Sequence, residues 1–442
     1  MLKVVKFGGS SLCDAEHFRM AAKIIRSDES RRYVVPSAPG KRFPGDTKIT
    51  DMLYEFHRMA RDHAPSEEID AYFDKICERY YGIINDLGLD FDISHEMLYI
   101  KNSILGRSGR DYAASRGEYL SGLILAKYLG YDFIDAENVI YFTDTGAFDA
   151  DRTQEVMSAE LAQHERAVIP GFYGITPNET VKTFTRGGSD VTGSIVARAA
   201  QADLYENWTD VSGFKMADPR IVENPQTIPE VTYDELRELS YSGAQVLHED
   251  AIFPVREKNI PLNIRNTNDP DHPGTMIKER FGTDADPDRF ITGITGKKDF
   301  SIISMSKRGM GGAVGVLRRM LSVFERHNIS IDYVPNGIDN VSVVMPTEAV
   351  ASSLYTIMAE IQKELEPDNL TVHDQIAVVA AVGRKMAFRP GISGKIFATL
   401  GEAGVNIRMI NQGPDELNII IFGVDNKDFK TAIRVLYDSF VK

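Results

Sequence analysis

Two short stretches of this chain carry residue types suited to handling charged substrates. The first is Lys6-Phe-Gly-Gly-Ser10, after the apolar run that begins at Leu2. The second is Arg186-Gly-Gly-Ser-Asp190, after Val181 to Phe184. In both, an extended run meets a helix start through paired glycines. Ala15 to Ile25 follows the first, with Ser10 and Ser11 placed to cap it, and Val191 to Ala202 follows the second. A strand, a tight turn and a helix start leave backbone N–H groups converging on one spot, an anion cradle that fits phosphate. Lys6 adds a full positive charge beside one cradle, and Arg186 and Asp190 bring opposite charges to the other. Either loop alone reads equally well as an ordinary strand–turn–helix connection. Two in one sheet, each with its cation, fit a protein that brings two anionic substrates together.

The elements around these loops must position them. Tyr33 to Val35 reads as a short strand leading into Pro36-Ser-Ala-Pro-Gly40, and a helix starts near Thr50 after the polar residues 41–49. Residues 66–87 and 110–129 read as helices, and apolar runs at 133–135, 139–142, 167–169 and 203–207 as buried strands. This alternation predicts a largely parallel sheet covered on both faces. The polar loop after Tyr205 then lies beyond strand C-termini, where open α/β sheets bind ligands, while Trp208 within it reads as a packing residue. Ser240 to Ile252 is expected to form a further helix and Ile260 to Arg265 a further strand. The breaker-rich residues 266–289 mark a domain boundary.

Totals exclude several function classes. A length of 442 residues allows two to four domains with ample core. A net charge of −14 argues against nucleic acid or an anionic membrane as partner. No apolar run reaches the length of a membrane span. The two cysteines, Cys13 and Cys77, have no metal-like spacing, and the opening does not read as a signal peptide, so a cytoplasmic protein is expected. Gly40 and Gly45 have the glycine spacing of a Walker A loop, but Asp46 stands where its lysine belongs. The protein-kinase catalytic motifs are missing. Asp284, Asp286 and Asp288 begin like a calcium loop, but Arg289 and Thr295 replace its glycine and glutamate, so no dedicated metal site is predicted. Gly309-Met-Gly311 lacks the third glycine of a dinucleotide fingerprint.

The last 150 residues repeat with a shift of 76: Gly315 aligns with Gly391, Leu321 with Phe397, Phe324 with Leu400, Ile329 with Val405 and Gly337 with Gly413. Each copy reads as a glycine loop, a helix and a strand, with Leu317, Leu321 and Phe324 on the helix core face.

Together these features resemble the aspartokinase family, amino-acid kinases with C-terminal ACT regulatory domains. The residues that carry the likeness are Lys6-Phe-Gly-Gly-Ser-Ser11, Val35-Pro-Ser-Ala-Pro-Gly40, Ser115-Arg-Gly-Glu118, Arg186-Gly-Gly-Ser-Asp190, Thr209-Asp-Val-Ser-Gly213, Ala217-Asp-Pro-Arg220 and Gly243-Ala-Gln-Val-Leu-His248, followed by the repeat. The resemblance implies an α/β fold. A three-layer αβα sandwich with a mainly parallel sheet would span 1–285, with ferredoxin-like βαββαβ ACT domains at 290–370 and 371–442 and residues 290–296 assignable to the second. It implies transfer of the ATP γ-phosphoryl group to the side-chain carboxylate of L-aspartate, with Mg2+ held mainly by the phosphates. The product is 4-phospho-L-aspartate, at the head of lysine, threonine and methionine synthesis. Such a carboxylate, with a pKa of about 4, is already ionised at neutral pH and needs no general base. Alignment and charge stabilisation are what remain to be supplied.

By this resemblance Lys6 would neutralise charge on the transferring group, within a cradle of Phe7, Gly8, Gly9 and Ser10, and Asp190 would orient Lys6. Arg186 would hold a substrate carboxylate, Glu118 the substrate ammonium, and Thr50 would touch the substrate. Thr209, Asp210, Lys215, Arg220 and Gln245 would bind ATP. Gln245 stands where many relatives have lysine, so Lys215 is expected to supply that cation; Thr185 replaces a common glycine. The effector site would comprise Met310, Gly311, Gly312, Ala313, Val314, Gly315, Ser330 and Asp332. The charge of Asp332 favours lysine over threonine as inhibitor. A homodimer or tetramer through the ACT domains is implied. Two other readings are a glutamate or acetylglutamate kinase, and an amino-acid sensor with a degenerate kinase domain. The paired modules and Ser115-Arg-Gly-Glu118 weigh against the first, and the presence of Lys6, Glu118, Arg186 and Asp190 against the second.

Overall fold

The computed structural model describes residues 1–441 apart from 186, 245, 246, 248, 281–290, 385, 387–389 and 413–418. The chain divides into two compact units. The first comprises Met1–Phe214, Pro229–Tyr233 and Val246–Phe281, and the second Lys215–Ile228, Asp234–Gln245 and Gly282–Lys442.

The strands of the first unit are β1 (Lys3–Phe7), β2 (Arg31–Pro36), β3 (Asp132–Phe133), β4 (Ala167–Val168), β5 (Tyr173–Ile175), β6 (Val181–Thr183), β7 (Leu204–Thr209), β8 (Glu230–Thr232), β9 (Leu262–Asn266) and β10 (Thr275–Lys278). Eight of them form one sheet in the order β3-β4-β2-β1-β7-β9-β10-β8, and β5 and β6 form a hairpin. Every pairing in the large sheet is parallel except β9 with β10. β1 therefore sits inside the sheet, and its five residues alternate between two covered faces. Val5 and Phe7 join a core with Phe18, Ile25, Ile124 and Trp208, leaving Val4 and Lys6 for the opposite face. Trp208 is the packing residue expected: it stacks on Phe7 with ring centroids 6.1 Å apart, and its Nε1 donates to Glu206 Oε2 at 2.9 Å.

Several helices fall where the sequence places them, including Ser66–Leu87 and Arg110–Leu129. Three details differ. The helix Ala15–Arg26 is capped by Asp14, whose Oδ1 accepts from the His17 N–H at 3.0 Å, not by Ser10 or Ser11. Those serines lie in a 3₁₀ turn, Gly9–Leu12, that delays the helix start, and Ser11 Oγ accepts instead from Thr267 at 2.7 Å. The helix expected over Ser240–Ile252 is two helices, Tyr233–Tyr241 and Glu249–Glu257. Gly243, at φ 123°, breaks the first. Of the run 139–142, only isolated bridges from Tyr141 and Phe142 form. Helices Ser94–Leu105 and Ala150–Leu161 were not anticipated.

The second unit holds β11 (Ile291–Ser306), β12 (Asn340–Pro346), β13 (Asn369–Gly383), β14 (Ile407–Asn411) and β15 (Ile419–Asp425), an antiparallel sheet in the order β12-β11-β13-β15-β14. The repeat is visible in its helices. Val316–Arg326 and Ile392–Glu402 have the same length, and each starts at a glycine in the left-handed region, Gly315 at φ 81° and Gly391 at φ 89°. No side chain adopts that conformation freely. The buried face of the first helix is Val316, Met320, Val323 and Phe324. Leu317, expected in the core, is 41% exposed because it lies one residue round from that stripe, and Leu321 only flanks it.

Candidate active site

β1 pairs with β2 on one side and β7 on the other, so the loops after all three leave from one edge of the sheet. Lys6, turned away from the Phe7 core, reaches the first turn of the helix Gly188–Ala199. Its Nζ lies 2.6 Å from Asp190 Oδ1 and 3.4 Å from Asn207 Oδ1, and Asn207 Nδ2 donates to the same Asp190 oxygen at 2.8 Å. Lys6 is only 6% exposed, so its ammonium depends on that carboxylate for company. Asn207 was not singled out in the sequence. The signal that would have found it is register, since Lys6 and Asn207 sit side by side on neighbouring parallel strands.

The glycine turn is a close approach of backbones. Gly8 N–H donates to Trp208 O at 2.9 Å and Gly40 N–H to Gly9 O at 2.8 Å. A Cβ on Gly40 would meet Gly9 O at 2.7 Å and Ser10 N at 2.9 Å, and one on Gly9 would meet Ala38 O at 2.9 Å. The loop after β2 thus holds the loop after β1 from one side, while the Lys6 ammonium approaches the place of a Gly8 Cβ from another, at 3.5 Å.

Glu118 is brought in by the helix Arg110–Leu129, which packs so tightly on the same loop that a Cβ on Gly117 would come within 2.8 Å of Ala38 Cβ. Arg116 anchors this helix through Glu137 at 2.6 Å and lies over the rings of Tyr112, Tyr119 and Tyr173. The Glu118 side chain is buried, and its Oε2 has no hydrogen-bond partner among the described residues. Burial pushes its pKa up to about 8, against the opposing pull of the Ala38 N–H and the charges of Arg116 and Lys6. A carboxylate oxygen left alone in the interior is one that a ligand donor can complete. Thr50 is half-buried in the first turn of the helix Ile49–Arg61.

The structure thus brings Lys6, Gly8, Gly9, Asp190 and Glu118 into one region. Thr209 ends β7, and its Oγ1 donates to the exposed Asp210 at 3.2 Å. Lys215 and Arg220 belong to the second unit, where Lys215 Nζ donates to Thr227 Oγ1 at 2.7 Å and the exposed Arg220 pairs with Asp218 at 2.7 Å. Arg186 and Gln245 lie outside the described residues. Of the expected effector residues, Met310–Gly312 form a 3₁₀ turn, Val314 is fully exposed, and Asp332 N–H donates to Val344 O at 2.9 Å. Among the described residues, Cys13, Asp14 and His17 are the one cluster of three metal-ligand side chains. Burial, with Asp14 adding to it, pushes the Cys13 thiol up to about 12, and a sulfur- and nitrogen-bearing set does not suit Mg2+.

The model of the amino acid kinase family matches residues 1–266, and a model of the ACT domain matches 379–440. Aspartokinase 3 of Bacillus subtilis is 34% identical over 99% of this chain and 98% of its own. The chain belongs to the aspartokinase family. The Clostridium acetobutylicum aspartate kinase, described as an allosteric enzyme, has the same structure at a TM-score of 0.90, with 47% identity and 99% of each chain covered. E. coli aspartokinase III shares the fold at a TM-score of 0.74, both in complex with aspartate and ADP (R-state, 23% identity) and with lysine and aspartate (T-state, 24%), all chains fully covered. Membership of the aspartokinase family makes this chain an ATP-dependent phosphotransferase. No helix among the described residues is long and apolar enough to cross a membrane.

Proposed function

We propose that this chain transfers the γ-phosphoryl group of ATP to the side-chain carboxylate of L-aspartate, releasing ADP and 4-phospho-L-aspartate. The observation that carries the reading is the buried Lys6–Asp190 pair, 2.6 Å long, beside the Gly8–Gly9 turn and the Glu118 carboxyl, whose Oε2 has no partner among the described residues. A carboxylate oxygen forms the new bond to phosphorus as the bond to the ADP oxygen breaks. No proton has to be removed first, so the chain's task is to align two anions and spread their charge. Lys6, held by Asp190 and Asn207, supplies a fixed cation at the transferring group, and the glycine turn supplies backbone N–H groups. Glu118 takes the substrate ammonium, with Thr50 and Arg186 as further aspartate contacts. Thr209, Asp210, Lys215, Arg220 and Gln245 serve the nucleotide. Mg2+ would be held mainly by the nucleotide phosphates and would supply charge neutralisation there; the Cys13, Asp14 and His17 cluster does not suit it.

The same reading includes feedback inhibition at the ACT modules, with lysine favoured over threonine because Asp332 offers a negative charge. The allosteric Clostridium relative and the lysine-bound E. coli enzyme support it. It also includes a cytoplasmic homo-oligomer joined through those modules, whose exposed Val314, Ile338 and Tyr355 offer apolar surface. The reading includes residues 290–296 in the second module, which is supported by the pairing of Ile291 to Lys297 with Val378 to Gly383, the half of β13 beside β15. Its test is ADP release with aspartate, glutamate and N-acetylglutamate as acceptors. Aspartate alone should turn over well, since an acetylated amine cannot satisfy Glu118; equal turnover of glutamate or N-acetylglutamate refutes the assignment.

A further inference from the structure

The helix Tyr233–Tyr241 ends in the second unit on the residue expected to draw a cationic effector. The Tyr241 hydroxyl donates a short hydrogen bond to Asp332 Oδ1, across 91 residues of sequence. The same residue is held from its other side. Lys297 Nζ donates to the Tyr241 carbonyl at 2.6 Å and lies 5.5 Å from the centre of its ring. Two residues on, Gly243 passes so close to β11 that a Cβ there would meet Gly296 O at 2.6 Å and Lys297 Cγ at 2.9 Å. The helix end is therefore docked on β11 by backbone contact, and its phenol is spent on Asp332. Gln245, an expected nucleotide contact, follows only four residues later in the chain.

Resting on the reading of Asp332 as the effector's anchor, we infer that Tyr241 is the residue through which effector occupancy is sensed. Its hydroxyl and the ammonium of a cationic amino acid compete for one carboxylate. Tyr241 is half-exposed, so water can replace the phenol contact and the exchange needs no opening of the core. An ammonium that takes Asp332 displaces the phenol and loosens the docked helix end, which leads by covalent continuity towards the nucleotide-side segment. The differential contact that a ligand must make to shift a conformational equilibrium is then a named pair.

The test is Tyr241→Phe in the full chain, which keeps the ring and removes the competitor. A hydrogen bond to a charged group has a net worth that corresponds to about a tenfold change in affinity. The concentration of lysine giving half-inhibition should therefore fall about tenfold, and, because the variant lacks the contact that lysine displaces, its ATP KM without lysine should shift towards that of the lysine-bound chain. Calorimetric lysine binding should show the same shift. An unchanged or raised half-inhibition concentration, or an effect confined to kcat, overturns the inference. The underlying reading fails separately: a chain that lysine does not inhibit, or Asp332→Asn that stays fully lysine-sensitive, removes the effector site itself.

Discussion

The affinity for aspartate should rise steeply with pH, and Glu118 should be the reason. Its carboxyl is buried with one oxygen unpartnered among the described residues, and burial pushes its pKa up to about 8. The substrate ammonium is the partner this group lacks, so productive binding requires the ionised form. A carboxyl with a pKa of about 8 is ionised in about one molecule in eleven at pH 7, and in about three of four at pH 8.5. Apparent affinity scales with the competent fraction, so the aspartate KM should fall about eightfold over that interval. Stability without substrate runs the other way. The unfolded chain loses this proton near 4.5 and the folded chain keeps it until about 8, so stability declines as pH rises through that window. Aspartate should relieve the loss. The assay is ADP release at saturating ATP from pH 6.5 to 8.5, with thermal unfolding alongside. Glu118→Gln should raise the KM and flatten the profile. A wild-type KM that does not vary with pH, or a Gln variant that keeps the slope, refutes the reasoning.

Other consequences can be checked as directly. Gly40→Ala places a methyl within 2.9 Å of the Gly9 and Ser10 backbone, so it should cost about 1–3 kcal/mol in stability and raise the ATP KM; an unaltered melting temperature contradicts the packing described. Asp190→Asn leaves the buried Lys6 ammonium without a counter-charge, and kcat should fall about a hundredfold in a chain that keeps its circular dichroism; near-native turnover would mean that Asp190 does not position Lys6. Lys215→Ala should raise the ATP KM several-fold if Lys215 stands in for a cation at position 245, and an unchanged KM ends that idea.

Much of this architecture was legible because local signals agreed with the fold. The helices Ser66–Leu87 and Arg110–Leu129 end where Gly88 and Gly130 take left-handed conformations, φ 69° and 73°, which is what a C-terminal glycine signal means. The Lys6-Phe-Gly-Gly turn was readable because charge, glycine pair and strand coincide within five residues. What escaped depends on partners distant in sequence. Asn207 acquires its role only from its register with Lys6, 201 residues away. Ser11 turned out to face Thr267, which no local pattern could show, and so the cap fell to Asp14. The break at Gly243 reflects β11 passing beneath it, not any weakness in the helix pattern. Leu317 shows that one helical residue of phase is enough to move a leucine from core to surface. The helix Ser94–Leu105, by contrast, was available: Met97, Ile100 and Ile104 already carry its apolar stripe.

Lys6→Met tests the central claim most directly, because it removes a single buried ammonium and keeps most of the side chain's volume. Single-turnover transfer from ATP to aspartate, measured with both substrates saturating, should slow about a thousandfold while the fold and nucleotide binding persist. Transfer at the wild-type rate would show that charge neutralisation at the end of β1 does not drive the reaction.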